Sequence, residues 1–162
     1  MYQIKEKMFT LGSQYVIRDA DGEPLYHVQG KVFSWGDSLS FQDNAGSELA
    51  TIEQKLLSWK PRYRIYRSGE LYAEVVKEWT WINRKFTLDV PGPNDYTIDG
   101  DFWNHEYTFR RGGRVVAHVS KAFWSWADTY GVQTIDGEDD QAILVTCIVI
   151  DLVCDAERNS SS

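Results

Sequence analysis

The sequence predicts a mainly β fold: about twelve antiparallel strands in a closed barrel, wrapped around a buried hydrophobic C-terminal helix. Three observations predict it. Glycines recur in turn contexts at a near-constant interval, apolar residues recur at fixed offsets from those glycines, and one apolar run near the C-terminus breaks the pattern.

The interval comes first, because an internal repeat decides the fold reading. Gly22, Gly46, Gly69, Gly92 and Gly113 stand 24, 23, 23 and 21 residues apart. Their neighbours are turn formers: Asp21, Asn94 flanked by Pro93, and the pair Gly112-Gly113. Gly, Asn and Asp tolerate the left-handed backbone that tight hairpins require.

Apolar residues then follow at set distances. Four and six residues after each glycine stand Tyr26/Val28, Ala50/Ile52, Ala73/Val75, Tyr96/Ile98 and Ala117/Val119. Seventeen and nineteen after stand Leu39/Phe41, Tyr63/Ile65, Phe86/Leu88, Phe109/Arg111 and Tyr130/Val132. Such alternation is strand periodicity. Between them, offset ten holds Val32, Leu56, Trp79, Phe102 and Phe123, and offset thirteen holds Trp35, Trp59, Ile82, His105 and Trp126. Only His105 and Arg111 break the apolar rule. Tyr2, Ile4, Met8, Leu11, Tyr15 and Ile17 form a truncated unit ahead of the others. Two short strands per unit over six units yield the strand number.

Beyond Asp136-Gly137 the repeat stops and the run from Gln141 to Ala156 begins. It is too long for a strand of about four to eight residues. Asp139 or Asp140 suits a helix N-terminus, and a helix apolar nearly all round must be buried on nearly all sides. An eight-stranded barrel fills itself with side chains and a wider one does not. A helix about 10–12 Å across fills the space, and residues 140–156 span roughly 25 Å. The expected organisation is one domain over 1–158, with a short polar disordered tail at 159–162.

Composition agrees. A chain of 162 residues suits one domain, and 43% apolar with 14% aromatic content argues against disorder. The net charge of −7 argues against a dedicated nucleic-acid binder. Residues 1–12 contain no apolar stretch of the kind a signal peptide needs. The apolar run is short of the ~20 residues that cross a bilayer. Cys147 and Cys154, seven residues apart on a helix, would lie roughly 10 Å apart, beyond disulfide reach. Two buried, inert thiols and no export signal predict the cytoplasm.

Several longer motifs carry a family resemblance. They are Gly-Ser-Glu-Leu-Ala-Thr-Ile-Glu-Gln-Lys-Leu-Leu-Ser-Trp-Lys-Pro-Arg-Tyr at 46–63, Gly-Glu-Leu-Tyr-Ala-Glu-Val-Val-Lys at 69–77, Gly-Gly-Arg-Val-Val-Ala-His-Val-Ser-Lys at 112–121, and the apolar tail from Asp140 to Asp151. Together they resemble the LURP-one-related family and its small bacterial members, over nearly the whole chain. The resemblance implies the fold of tubby C-terminal domains and phospholipid scramblases, a twelve-stranded barrel around a hydrophobic helix. It implies no settled activity: plant members are linked to defence, tubby domains to phosphoinositides and scramblases to lipid movement.

Candidate chemistry is sparse. Lys55, Lys60, Arg62, Arg64 and Arg67 form a segment without an acid. With Tyr63 and Ile65 inward, Arg62 and Arg64 share the outer face near Lys60. That is either a site for an anion or phospholipid headgroup, or a solvated face whose charges pair with neighbouring acids. The shared offset of Trp35, Trp59 and Trp126 predicts packing at equivalent positions. His27, His105 and His118 lack metal-ligand spacing, His27 and His118 should face outward, and no metal or cofactor is expected. The stretch Asp136-Gly-Glu-Asp-Asp140 is too short for a calcium loop and reads as a solvated loop leading into the helix. No nucleophile elbow, placed cysteine nucleophile, P-loop or dinucleotide fingerprint occurs, so no catalytic residues are expected. Asp151, inside the apolar run, needs compensation: it lies at the barrel mouth or pairs with an inward cation such as Arg111, in a structural role.

The leading expectation is a non-enzymatic binding module that recognises an anionic phospholipid or phosphate-bearing ligand through Lys60, Arg62 and Arg64, in the cytoplasm or peripherally at a membrane. The alternatives are a protein-interaction or scaffold domain, favoured by surplus aromatics and by any unpaired sheet edge, and a scramblase-like protein with 142–154 in the bilayer.

Overall fold

Each glycine turn of the repeat joins two strands of one continuous meander. The computed structural model describes residues 1–9, 12–30, 38–79, 84–123 and 128–161, and their side chains except those of 7–9 and 12–13. Its strands are β1 Tyr2–Phe9, β2 Gly12–Arg18, β3 Pro24–Gly30, β4 Ser38–Asp43, β5 Glu48–Gln54, β6 Arg62–Arg67, β7 Glu70–Glu78, β8 Lys85–Asp89, β9 Tyr96–Asp101, β10 Glu106–Arg111, β11 Arg114–Ser120 and β12 Thr129–Thr134. Every strand pairs antiparallel with its sequence neighbours, and β1 pairs with β12 through Tyr2↔Val132 and Ile4↔Tyr130. The twelve-stranded sheet is therefore closed, which removes the free edges that invite another chain.

The turns explain the register. Ser68 and Gly69 have φ of 50° and 79°, and Gly112 and Gly113 have 56° and 79°. Two left-handed residues in a two-residue loop match the right-handed twist of the flanking strands. Asp19 and Asp43 build a second, repeated turn. Each carboxylate accepts the N–H groups two and four residues on, Asp21 and Glu23 in one case, Ala45 and Ser47 in the other, at 2.8–2.9 Å. Register shifts lie close to four of these turns, between Ile17 and Arg18, Phe41 and Gln42, Ile65 and Tyr66, and Phe109 and Arg110. Such bulges add twist and curvature, which a closed barrel needs.

One helix, α1 Asp140–Ser160, fills the barrel. Ala142, Ile143, Leu144, Cys147, Ile148, Val149 and Ile150 are all fully buried. Those positions, within nine consecutive residues, cover every side of a helix, so strands surround it. Thr146 returns its hydroxyl to the Ala142 carbonyl at 2.7 Å, so the one hydroxyl in the run is satisfied. The helix continues past 156 to Ser160, so residues 159 and 160 belong to its last turn and not to a tail.

The strand offsets of the repeat are the core: Val28, Phe41, Ile52, Ile65, Val75, Leu88, Ile98, Phe109, Val119 and Val132 are buried. The loop offsets are not uniformly so. Phe102 is buried, but Leu56 and Trp79 are exposed and Trp59 is 100% exposed. The packing expected of Trp59 is therefore wrong. It lies in the loop after β5, where strand alternation no longer points a residue inward. Val32, Trp35, Ile82 and Trp126 lie outside the described residues, as do Leu11 and the side chain of Met8.

Candidate functional site

The meander gives the barrel two unlike ends. Short glycine turns and the N-terminus of α1 share the hairpin end; the last residues of β1, β3, β5, β7, β9 and β11 share the open end with the C-terminal half of α1.

At the hairpin end, three consecutive carboxylates fasten the helix to the wall. Asp139 caps α1 through the Ala142 N–H at 3.0 Å. It also accepts two parallel bonds of 2.8 Å from Arg67 and one from the Tyr72 hydroxyl. Burial alone would raise its pKa, but these donors hold it down at about 2. Glu138 takes the Tyr96 hydroxyl at 2.7 Å and Arg111 at 3.2 Å. Burial and the Glu138 bond push the Tyr96 hydroxyl up to about 12. Asp140 takes the Tyr2 hydroxyl. The loop expected to be solvated is instead bonded to β1, β6, β7, β9 and β10.

At the open end the inner face becomes charged. Ala73, Val75 and Lys77 alternate inward along β7, as Ile4 and Glu6 do along β1. Lys77 is buried and pairs with Glu157 of α1, which Arg84 also reaches at 3.5 Å. Burial, then the nearby Arg84 charge, holds the Lys77 ammonium below the usual lysine value. Trp103 lies between the Arg84 and Arg158 guanidinium groups, 4.4 and 4.9 Å from its ring centre. Beside the helix a cavity of about 120 Å³ opens, with Asp151 on its lining. Asp151 is 6% exposed; it accepts the Tyr130 hydroxyl at 2.7 Å and meets His105 Nε2 at 3.1 Å. The His105 and Tyr130 rings lie 4.4 Å apart.

The rim of that end carries exposed apolar side chains. Leu57 is 96% and Trp59 100% exposed, and Leu56 and Trp79 are also largely exposed. The loop between β5 and β6 presents the first three. Lys60 Nζ joins Glu78 at 2.5 Å, and the Lys77 N–H bonds the Pro61 carbonyl at 3.1 Å, so the loop is held beside the end of β7 where Trp79 stands.

A model of the LURP-one-related family matches residues 1–151. The chain belongs to that family. The uncharacterized protein YxjI of Bacillus subtilis is 38% identical over 158 residues, 98% of this chain and 96% of its own. A protein of Arabidopsis thaliana solved by X-ray crystallography has the same fold, with a TM-score of 0.67 at 16% identity over 94% of this chain and 90% of its own.

In this LURP-one-related barrel the expected basic segment is not free of acids. Arg62 and Arg64 both bond Glu74, at 2.7 and 2.8 Å, and Lys60 bonds Glu78. The partners come from β7, across the β6–β7 register, which a linear reading cannot see. These donors hold the Glu74 carboxyl below its usual range against the upward pull of burial. Arg111 does not meet Asp151. It stands at the hairpin end on Glu138, with the Asn94 carbonyl at 3.1 Å, while Asp151 lies three turns further along α1. His105 and Tyr130 compensate Asp151 instead. His27 and His118 face outward as expected, His27 toward Asn44 and His118 against Phe123. Both cysteines are buried; burial raises the Cys147 thiol and pushes Cys154 up to about 11. Among the described residues no group of His, Cys, Asp and Glu could hold a metal ion, and no helix is long and apolar enough to cross a membrane. The segment 142–154 lies inside the barrel. Sequence reasoning missed the carboxylate latch and the loop tip. The signal for the tip was Leu57, an apolar residue that occupies no offset of the repeat.

Proposed function

We propose that this protein is a non-enzymatic binding module that docks by its open end on an anionic phospholipid surface, working in the cytoplasm and peripherally at the membrane. The observation that carries the reading is the loop tip of Leu56, Leu57 and Trp59 beside Trp79, flanked by Lys55 and Lys60. Placing a fully exposed leucine in apolar surroundings is worth about 1.5–3 kcal/mol, and a lysine near an anionic surface about 1 kcal/mol. Stable peripheral attachment takes two such signals together, and Trp favours the level of the headgroups. A tip whose Leu57 and Trp59 are almost fully exposed suits a fluid interface better than a matching protein groove. Lys60 takes part through its place beside the tip. Arg62 and Arg64, lower on the outer face and bridged by Glu74, would contribute long-range attraction.

Co-sedimentation with phosphatidylglycerol vesicles and with phosphatidylcholine vesicles tests this. Binding to the anionic vesicles that weakens with added salt supports it. Equal and negligible pelleting with both, or binding indifferent to salt, overturns it.

A further inference from the structure

The cavity on the open side of Asp151 lies across the mouth from the loop tip, between α1 and the wall of β1 and β12. We propose that it binds a small primary ammonium compound. The charge of the lining points to a cation: Glu6, Asp128, Asp151 and Asp155 stand against Lys121 and Arg158. Arg158 is already engaged, with its guanidinium over Trp103, its Nη2 toward the Trp103 carbonyl and its Nη1 3.4 Å from Asp155. An anion in the cavity would face the buried Asp151 carboxylate, which carries no Lys or Arg partner among the described ion pairs.

One unpartnered atom on the lining asks for a donor. His105 places Nε2 3.1 Å from Asp151, and in the tautomer that carries its proton on Nε2 the other ring nitrogen, Nδ1, is the acceptor. That atom is buried and has no partner among the described residues. The ring is held there by a left-handed backbone, φ 53°, at the end of the 3-10 turn Phe102–Asn104. A non-glycine residue keeps such a conformation only where its surroundings over-determine it, and such positions cluster at ligand sites. Beyond the lining, the Tyr15 hydroxyl is 1% exposed and also unpartnered. Tyr15 pairs with Glu6 across β1 and β2. Its ionisation is opposed first by burial and then by Asp151, Glu6 and Asp155, so its oxygen lies in the field of the same carboxylates. Asp155, one turn from Asp151, is likewise raised by burial and by that neighbour.

An ammonium head answers these demands together. It brings positive charge to a site short of it, and three N–H groups for the Asp155 carboxylate, the Asp151 carboxylate and His105 Nδ1. Tyr130 and Phe102 line the same space, and aromatic rings attract a cation. A cavity of about 120 Å³ admits a compound the size of an amino alcohol and excludes large amines.

Isothermal titration with ethanolamine, acetate and ethylene glycol tests the proposal without any lipid present, so its outcome is separate from that of membrane docking. Saturable ethanolamine binding is expected, with none for the anionic and neutral probes. Asp155→Asn and His105→Asn should each weaken it about tenfold, the size of one charge-assisted bond; asparagine tolerates the left-handed backbone at 105. Thermal melting shows that each variant is folded, and Asp155→Asn alone suffices if His105→Asn is not. Vesicles of phosphatidylcholine with and without phosphatidylethanolamine identify the source. Enrichment on the vesicles that contain phosphatidylethanolamine assigns the site to a lipid headgroup, and its absence beside free ethanolamine binding assigns it to a soluble amine. No saturable ethanolamine binding, equal binding of acetate or ethylene glycol, or an affinity unchanged in the folded variants overturns the proposal.

Discussion

Arg67 at the end of β6 and Asp139 at the start of α1 face each other through two parallel 2.8 Å hydrogen bonds, joining the plug of the barrel to its wall. The pair is partly shielded, with side chains 28% and 26% exposed, and the Tyr72 ring packs on the guanidinium at 3.8 Å. Planar bidentate pairing of this kind adds direction to charge, and it sets the helix at one depth in the barrel.

Acid should loosen this latch. The Asp139 carboxyl titrates at about 2 in the fold against 3.8 without it, so its contribution is complete above the higher value and disappears as pH falls through the lower. The difference corresponds to about 2 kcal/mol. Urea unfolding followed from neutral pH to pH ~2 should show this loss. Asp139→Asn, which keeps a good cap, should remove that part of the slope. Asp139→Ala should cost about 1 kcal/mol more, for the lost cap.

Gly100 tolerates no side chain. Its φ is 141°, and a Cβ there would lie 2.6 Å from the Tyr107 Cα and 2.5 Å from the Glu106 carbonyl oxygen, both backbone atoms of β10. Gly100→Ala should destabilise the protein by about 2–4 kcal/mol. Gly46→Ala, strained by a φ of 87° but meeting nothing within 4 Å, should cost about 1 kcal/mol. Chemical denaturation of the two variants side by side checks the contrast.

Asp151 is a carboxylate buried in the core of the open end. Asp151→Ala strands the Tyr130 hydroxyl and His105 Nε2 and should cost about 3 kcal/mol at neutral pH. Tyr130→Phe removes one bond from the carboxylate and should cost less. Unfolding midpoints for both variants provide the comparison, and unchanged stability in Asp151→Ala would exclude the buried network.

The loop tip should matter for docking and not for folding. Leu57 and Trp59 touch little of the core, so Leu57→Asp and Trp59→Glu should change stability by no more than about 0.5 kcal/mol. Pelleting with phosphatidylglycerol vesicles should fall at least tenfold in the double variant. Unchanged pelleting would remove the tip from the interface.

The barrel was legible because its determinants are local and repeated. Tyr63/Ile65 or Phe86/Leu88 announce an inward face two residues at a time, and the apolar run 142–154 has to be enclosed by something. The LURP-one-related resemblance led to the same architecture. The site was not legible, for reasons of geometry. Whether Arg62 and Arg64 are free depends on Glu74, which a hairpin brings across from the next strand. The Arg111–Asp151 pairing failed because Arg111 stands at the hairpin end beside the start of α1 and Asp151 lies three turns further along it, a distance that repeat offsets do not encode. Trp59 followed the offset rule and broke its meaning, since a rule derived from strands fails where the chain leaves them. The sequence offers Asp139 or Asp140 as the cap, but Arg67, 72 positions before Asp139, enters only with the closed sheet.

Hydrogen–deuterium exchange of the whole chain, with and without phosphatidylglycerol vesicles, tests the docking geometry most directly. Slowed exchange should be confined to the open end, centred on residues 55–61 and the end of β7, with the glycine turns of the hairpin end unchanged. Slowed exchange at the hairpin end, or no difference anywhere on adding vesicles, would contradict it.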